Sequence, residues 1–161
     1  MDKAIKGKIL DILRETRDMS LATLRPDGWP QATTVGFGSD GLTLYFLCSP
    51  QSQKAANLAH DDRVSLTIDR PAEQVIDIRG LSMAARASRV TDPAEANRAL
   101  GLVLGKYAPQ TGLPSPSELR ADEMSIFRLT PTVISVLDYS LGFGHADLVE
   151  CPPTAEVAAS G

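Results

Sequence analysis

At 161 residues, 43% hydrophobic and 22% charged, the chain has the length and balance of one soluble globular domain with a sizeable core. A net charge of -4 without any basic stripe argues against a nucleic-acid partner, because phosphate backbones need a cationic face. No stretch approaches the ~18 apolar residues of a membrane span, and Met1 to Leu13 is charged and amphipathic rather than a secretory leader. Cytoplasm is therefore the expected compartment. Cys48 and Cys151 form no CxxC pair, so neither a disulfide framework nor a metal site is expected.

In chain order, residues 4–17 predict a helix, with Ile5, Ile9, Ile12 and Leu13 on one stripe. Strand patterning follows. Met19 to Arg25 alternates, Pro26-Asp27-Gly28 supplies a turn, and Gln31 to Phe37 alternates again. Ser39-Asp40-Gly41 turns into the apolar run Leu42 to Leu47, which reads as a buried strand. A short helix from about Pro50 to His60, a strand from Arg63 to Asp69 and a long or bent strand from Val75 to Val90, interrupted at Gly80, come next. Asp92-Pro93-Ala94-Glu95 has the form of a helix start, with Asp as N-cap and Pro at the first position; the helix runs on to Tyr107. A loop over Pro109 to Pro116 leads to strands at Met124–Leu129 and Thr132–Tyr139. The domain is expected to end near residue 140, leaving 141–161 as a Gly-rich loop and a Pro/Ala-rich tail. Strands in meander order with three helices between them predict an α+β fold, mainly antiparallel, closed into a barrel.

Gly36-Phe37-Gly38-Ser39-Asp40-Gly41 satisfies GxGxxG, yet leads into strand residues instead of a helix. A dinucleotide fingerprint needs a helix N-terminus at that point, so the glycines are read as a hairpin turn.

The stretch Leu44 to Leu58 carries the chemistry. A buried strand ends at Cys48, and Ser49 with Pro50 is read as N-cap and first helical residue. The first turn of a helix leaves backbone N–H groups without internal partners and adds partial positive charge. Ser52 brings a hydroxyl and Lys54 a cation to the same end, which makes a phosphate or carboxylate cradle. A solvated lysine beside an ordinary serine cap is the plain alternative.

From Met19 to Ile68 the chain resembles the pyridoxamine 5'-phosphate oxidase-like FMN-binding split barrels. The resemblance rests on the Ala22-Thr23 strand, the Asp27-Gly28 turn, the S-x-x-S-x-K pattern of Ser49 to Lys54 and the strand Asp61-Asp62-Arg63-Val64-Ser65-Leu66. It continues more weakly through Glu73-Gln74-Val75, Arg79-Gly80 and Phe127 to Pro131. It implies a split β-barrel with flanking helices and FMN as cofactor. In that family the strand matching Ala32, Thr33, Thr34 and Val35 runs beside the flavin ring, largely through backbone groups. Leu47 and Cys48 match ring- and ribityl-facing positions. Ser49, Ser52, Gln53 and Lys54 match the phosphate-binding turn. Gln74 matches a glutamine that reaches the flavin from the other subunit, implying a homodimer with two interfacial sites.

The chain departs from pyridoxamine phosphate oxidase itself at three places. It has no arginine near position 32, Gln53 stands where a second arginine is expected, and the C-terminal Arg-x-His motif is missing. Vitamin B6 oxidation is therefore unsupported, and the resemblance then implies that Lys54 carries more of the phosphate's charge, helped by Arg79 or Arg86. His60 is read as a helix-end cap, and His145 as a loop residue able to line a pocket. Cys48 reads as a small buried hydrophobe, and Trp29 as a turn-packing aromatic. The expected activity is an FMN-dependent oxidoreductase acting on a small molecule, with no assignable catalytic side chain. The alternatives are a non-catalytic flavin store or sensor and a barrel holding F420 or haem.

Overall fold

The computed structural model describes residues 1–107 and 120–152. Helix α1 spans Lys3–Glu15; Asp2 caps it by accepting from the backbone N–H groups of Ala4 (2.9 Å) and Ile5 (3.1 Å). Its buried stripe is Ile9, Ile12 and Leu13, as the spacing requires. The Lys106 ammonium closes its far end, donating to the carbonyls of Leu13 (2.7 Å) and Thr16 (2.9 Å). Strands β1 (Asp18–Leu24), β2 (Pro30–Asp40) and β3 (Thr43–Cys48) form the expected meander. Gly36 to Gly41 lie in the β2–β3 hairpin, and Gly41 takes a φ of 59°, a turn conformation suited to glycine.

Helix α2 (Gln53–His60) then leads to β4 (Arg63–Asp69) and β5 (Arg79–Arg89). Strand β5 starts four residues later than the pattern suggests, because Val75–Asp77 forms a 3-10 turn. Gly80 lies inside the strand and does not interrupt it. It faces Asp69 so closely that a Cβ would lie 2.6 Å from the Asp69 Oδ1. Helix α3 (Pro93–Leu104) starts at the Asp92 cap, whose carboxylate accepts from the Glu95 N–H at 2.9 Å.

Beyond α3 the expected pair of strands is one strand, β6 (Ser125–Asp138). Pro131 has no N–H to give the ladder, and the register against β5 shifts there, Ala85 facing Pro131 and Ala84 facing Val133. The extra residue, Thr132, makes a bulge that absorbs the proline without ending the strand. The segment after Tyr139, read as loop and tail, contains a further strand, β7 (Ala146–Glu150), paired with β6. The predicted 109–116 loop and the last nine residues lie outside the described part.

The strands lie in the order β3-β2-β1-β4-β5-β6-β7, and β3 also pairs with β6. Six antiparallel strands thus close a barrel, while β7 adds to the far half of β6. The α+β split-barrel expectation holds. Along the edge away from β5, strand β6 serves two further neighbours in turn: Ser125–Leu129 pair with β3, and Val133–Leu137 pair with β7. The interior is filled by alternate residues, among them Leu21, Phe37, Leu44, Phe46, Leu66, Leu81 and Met83, all nearly inaccessible to solvent. Phe46 and Phe127 stack inside at 5.4 Å between centroids.

Candidate functional site

The barrel opens where β2 and β3 part. Strand β1 pairs with β2 from Pro30 to Gly36, but β3 reaches only Phe37 to Asp40 of β2. Among the described residues, the β2 edge from Gln31 to Gly36 therefore has no strand beside it, and its alternate backbone N–H and C=O groups face outward. Past Phe46, β3 stays with β6 through Cys48, then enters the turn that leads to α2. The bare β2 edge and the Ser49–Lys54 turn are the two walls of a wedge.

The turn differs from the sequence expectation in one respect. Ser52, and not Ser49, caps α2, and Gln53, not Pro50, opens it. The chain first makes a tight turn in which the Ser52 N–H donates to the Ser49 carbonyl at 3.0 Å. The Ser52 Oγ accepts from the Ala55 N–H at 3.2 Å, leaving its own proton free to point outward. Ser49 is exposed, and its hydroxyl donates to the Gln51 side chain at 3.0 Å. Lys54 is half-buried in the first helical turn and, among the described residues, enters no ion pair. Ser52 and Lys54 therefore still stand together at the start of α2.

The remaining site residues separate. On β2, Ala32 and Thr34 are exposed on the outer face, while Thr33 and Val35 turn inward and the Thr33 hydroxyl lacks a partner. Leu47 is half-buried towards α3; Cys48 is buried in the core, where a thiol acts as a small hydrophobe. Gln53 points its amide to Asn57 at 2.8 Å rather than into the cradle. Gln74 precedes the Val75–Asp77 turn, at the opposite end of β4 from α2, so one chain does not bring it to the cradle. Arg79 and Arg86 are committed to Asp138 (3.3 Å) and Asp62 (2.5 Å). His145 sits at the β6–β7 turn with its Nε2 3.2 Å from Asp147, far from α2 along β6. His60 is exposed at the end of α2. Trp29 is not packed into its turn: 70% of it is exposed.

Sequence reasoning missed Asn57. It is fully buried, and its amide donates to Thr23 (2.9 Å) and Gln31 (3.1 Å) while accepting from Gln53. This net ties α2 to β1 and β2, so the two walls of the wedge hold a fixed relation. The signal in the sequence was an amide four residues after another, a spacing that places both on one helix face.

Among the described residues, no group of three or more His, Cys, Asp or Glu is placed to hold a metal ion, and no helix is long and apolar enough to cross a membrane. The strongest local electrostatics lie away from the wedge. Hydrogen bonds from Lys8 (2.8 Å) and Ser140 (2.5 Å) hold the Asp138 carboxyl down at about 2. Burial pulls the Lys106 ammonium down to about 8. Beside α2, the Arg63 guanidinium holds the half-buried Asp61 well below the usual carboxylate range.

Among curated proteins, none matches the chain. Solved structures share its fold. A conserved hypothetical protein of Mycobacterium tuberculosis is 27% identical with a TM-score of 0.73, the match covering 91% of each chain. A heme-binding protein from Mycobacterium smegmatis is 23% identical with a TM-score of 0.70; the match covers 93% of this chain but only 59% of that longer one. HutZ, the heme storage protein of Vibrio cholerae, is 22% identical with a TM-score of 0.62, covering 78% and 88%. The sequence profile of pyridoxamine 5'-phosphate oxidase matches residues 5–138, nearly the whole barrel. This chain belongs to the pyridoxamine 5'-phosphate oxidase family.

Proposed function

We propose that the protein is an FMN-binding flavoprotein that acts as an oxidoreductase on a small molecule, working as a homodimer with the flavin at the interface. The observation that carries the reading is the wedge: a bare strand edge beside a capped helical turn whose lysine enters no ion pair among the described residues. Lys54, the Ser52 hydroxyl and the free N–H groups of the first turn of α2 would hold the phosphate. The β2 edge from Ala32 to Val35 would offer backbone donors and acceptors to the polar rim of the ring, and Leu47 an apolar contact. With FMN bound, the isoalloxazine ring supplies two-electron hydride chemistry, so the chain needs to position and exclude water rather than furnish a nucleophile. Donors on the β2 edge would favour the negative charge that the reduced ring carries.

Gln53 refines this reading. Its amide is engaged with Asn57, so one full cation faces the phosphate where the oxidase itself has more. Vitamin B6 oxidation remains outside the proposal. Two structural relatives are described as heme proteins, but among the described residues both histidines lie away from the wedge walls, which favours flavin for this chain.

The test is a pair of titrations. Lys54→Ala with Ser52→Ala is expected to weaken FMN by more than about 30-fold, the loss of two charge-assisted contacts, and riboflavin by less than about 3-fold. Equal losses for both ligands would remove the phosphate from this turn. Bleaching of the bound flavin by NADH or NADPH, with recovery in air, supports catalysis; an inert flavin supports storage.

A further inference from the structure

The wedge opens at a single step along β2. Gly36 pairs with Asp18 of β1 and, among the described residues, with nothing on its other side; Phe37, the next residue, pairs with Phe46 of β3. Gly36-Phe37 is therefore the fork between the two strands. The ladder alone does not hold a fork in place, because the last pair of two parting strands is the first to fray. Something outside the ladder has to pin it.

Two adjacent residues just past the end of α3 sit on these two adjacent residues of β2. The Lys106 ammonium lies 3.7 Å from the centroid of the fully buried Phe37 ring. The carbonyls of Leu13 (2.7 Å) and Thr16 (2.9 Å), at the C-terminal end of α1, hold it there. A cation suits both surroundings, the negative end of a helix and the face of a desolvated aromatic ring. Tyr107 covers the residue before. A Cβ at position 36 would collide with the Tyr107 hydroxyl and lie 3.0 Å from its Cζ, so glycine is what leaves room for the phenol. That hydroxyl donates to the Asp18 carboxylate at 2.5 Å, with the Arg17 carbonyl 3.2 Å away. The same Arg17 carbonyl accepts from the Phe37 N–H at 3.0 Å. Lys106 thus ties the fork to α1, and Tyr107 ties it to the start of β1.

We propose that Lys106 and Tyr107 are positioning residues that set the depth of the wedge by pinning the point where β2 and β3 part. With this clasp closed, the bare edge runs from Gln31 to Gly36. With it open, the Phe37–Phe46 pair frays and the edge lengthens, so a ring lying along it no longer meets a fixed set of backbone donors and acceptors. Only that last step rests on the flavin reading above. The pinning of the fork is a property of the chain itself.

The test uses two variants that reach the fork from opposite sides. Lys106→Met keeps an unbranched chain over Phe37 and removes its charge. Gly36→Ala displaces Tyr107 without altering α1 or α3, and decides the matter should Lys106→Met fail to fold. Amide hydrogen exchange is followed first, on protein without flavin. In each variant the amides of Phe37–Asp40 and Thr43–Phe46 are expected to exchange more than about 10-fold faster, while those of Arg63–Asp69 stay within about 2-fold of wild type. Unchanged exchange at the fork, or equal acceleration along every strand, would overturn the clasp. Flavin titrations follow. Gly36→Ala should weaken FMN and riboflavin together, by about 10-fold each, because the loss falls on the ring; loss of the Lys54 and Ser52 contacts spares riboflavin. Undiminished affinity in a variant whose fork exchanges fast, or a loss confined to FMN, would overturn the claim that wedge depth serves the ring. A wild type that binds neither flavin would remove the cofactor reading, and the exchange rates would still decide the clasp.

Discussion

Asn57 shows how one side chain can hold a site without touching it. Its amide is fully buried and satisfied only by Gln53, Thr23 and Gln31. Asn57→Ala is expected to cost about 1–3 kcal/mol, the range for leaving buried partners unsatisfied, measurable by urea unfolding. FMN affinity should fall as well, since the wedge loses its brace. The S-x-x-S-x-K run was legible because its residues are polar and regularly spaced at a strand end. Asn57 was harder to see: its spacing from Gln53 puts two amides on one helix face, but nothing local shows that this face is the buried one. The cap was misplaced by three residues for a similar reason: Ser49-Pro50 has the right residue types, and only the Ser52–Ser49 backbone bond shows that a tight turn comes first.

Asp138 contributes to the acid dependence. Its folded pKa, about 2, lies below the unfolded carboxylate value of about 3.9, so its contribution is fully present above the latter and is lost as pH falls through the former. Asp138→Asn should flatten the stability curve between about pH 4 and 2, read by thermal unfolding across that range. An unchanged slope would mean that the Lys8 and Arg79 pairings do not persist in solution.

At the scale of elements, close approach explains where substitution fails. Gly38 sits under α3, and a Cβ there would lie 2.6 Å from the Leu102 carbonyl carbon and 2.7 Å from the Val103 nitrogen. Both atoms are backbone, so the helix must move. Gly38→Ala should destabilise by about 1–3 kcal/mol through overpacking. Gly101, on the exposed face of the same helix, meets nothing within 4 Å, and Gly101→Ala should stabilise by about 0.4–1 kcal/mol. Melting temperatures should move in opposite directions for the pair. The glycine-rich hairpin, β1 to β4 and all three helices were readable from alternation, stripes and caps. Two elements were hidden: proline punctuation made β6 look like two strands, and glycines at 142 and 144 made the approach to β7 look like the end of the fold. In each case a tertiary pairing, to β5 or to β6, overrides the local breaker.

For the whole molecule, closure of the barrel through β3 and β6 is what opens the site. Strand β3 follows β6 past Phe46, and the price of that pairing is a bare edge on β2. Periodicity gave the barrel; the parting of two paired strands is a long-range event that no local pattern encodes, and the family resemblance supplied what it implied for the site. Whether that edge serves a flavin is answered most directly by the ligand that travels with the protein. Mass spectrometry of the small molecule released from protein purified without added cofactor should find FMN, and the intact protein should show a flavin absorbance spectrum. A Soret band, a deazaflavin, or a colourless protein whose spectrum does not respond to added FMN would contradict the assignment.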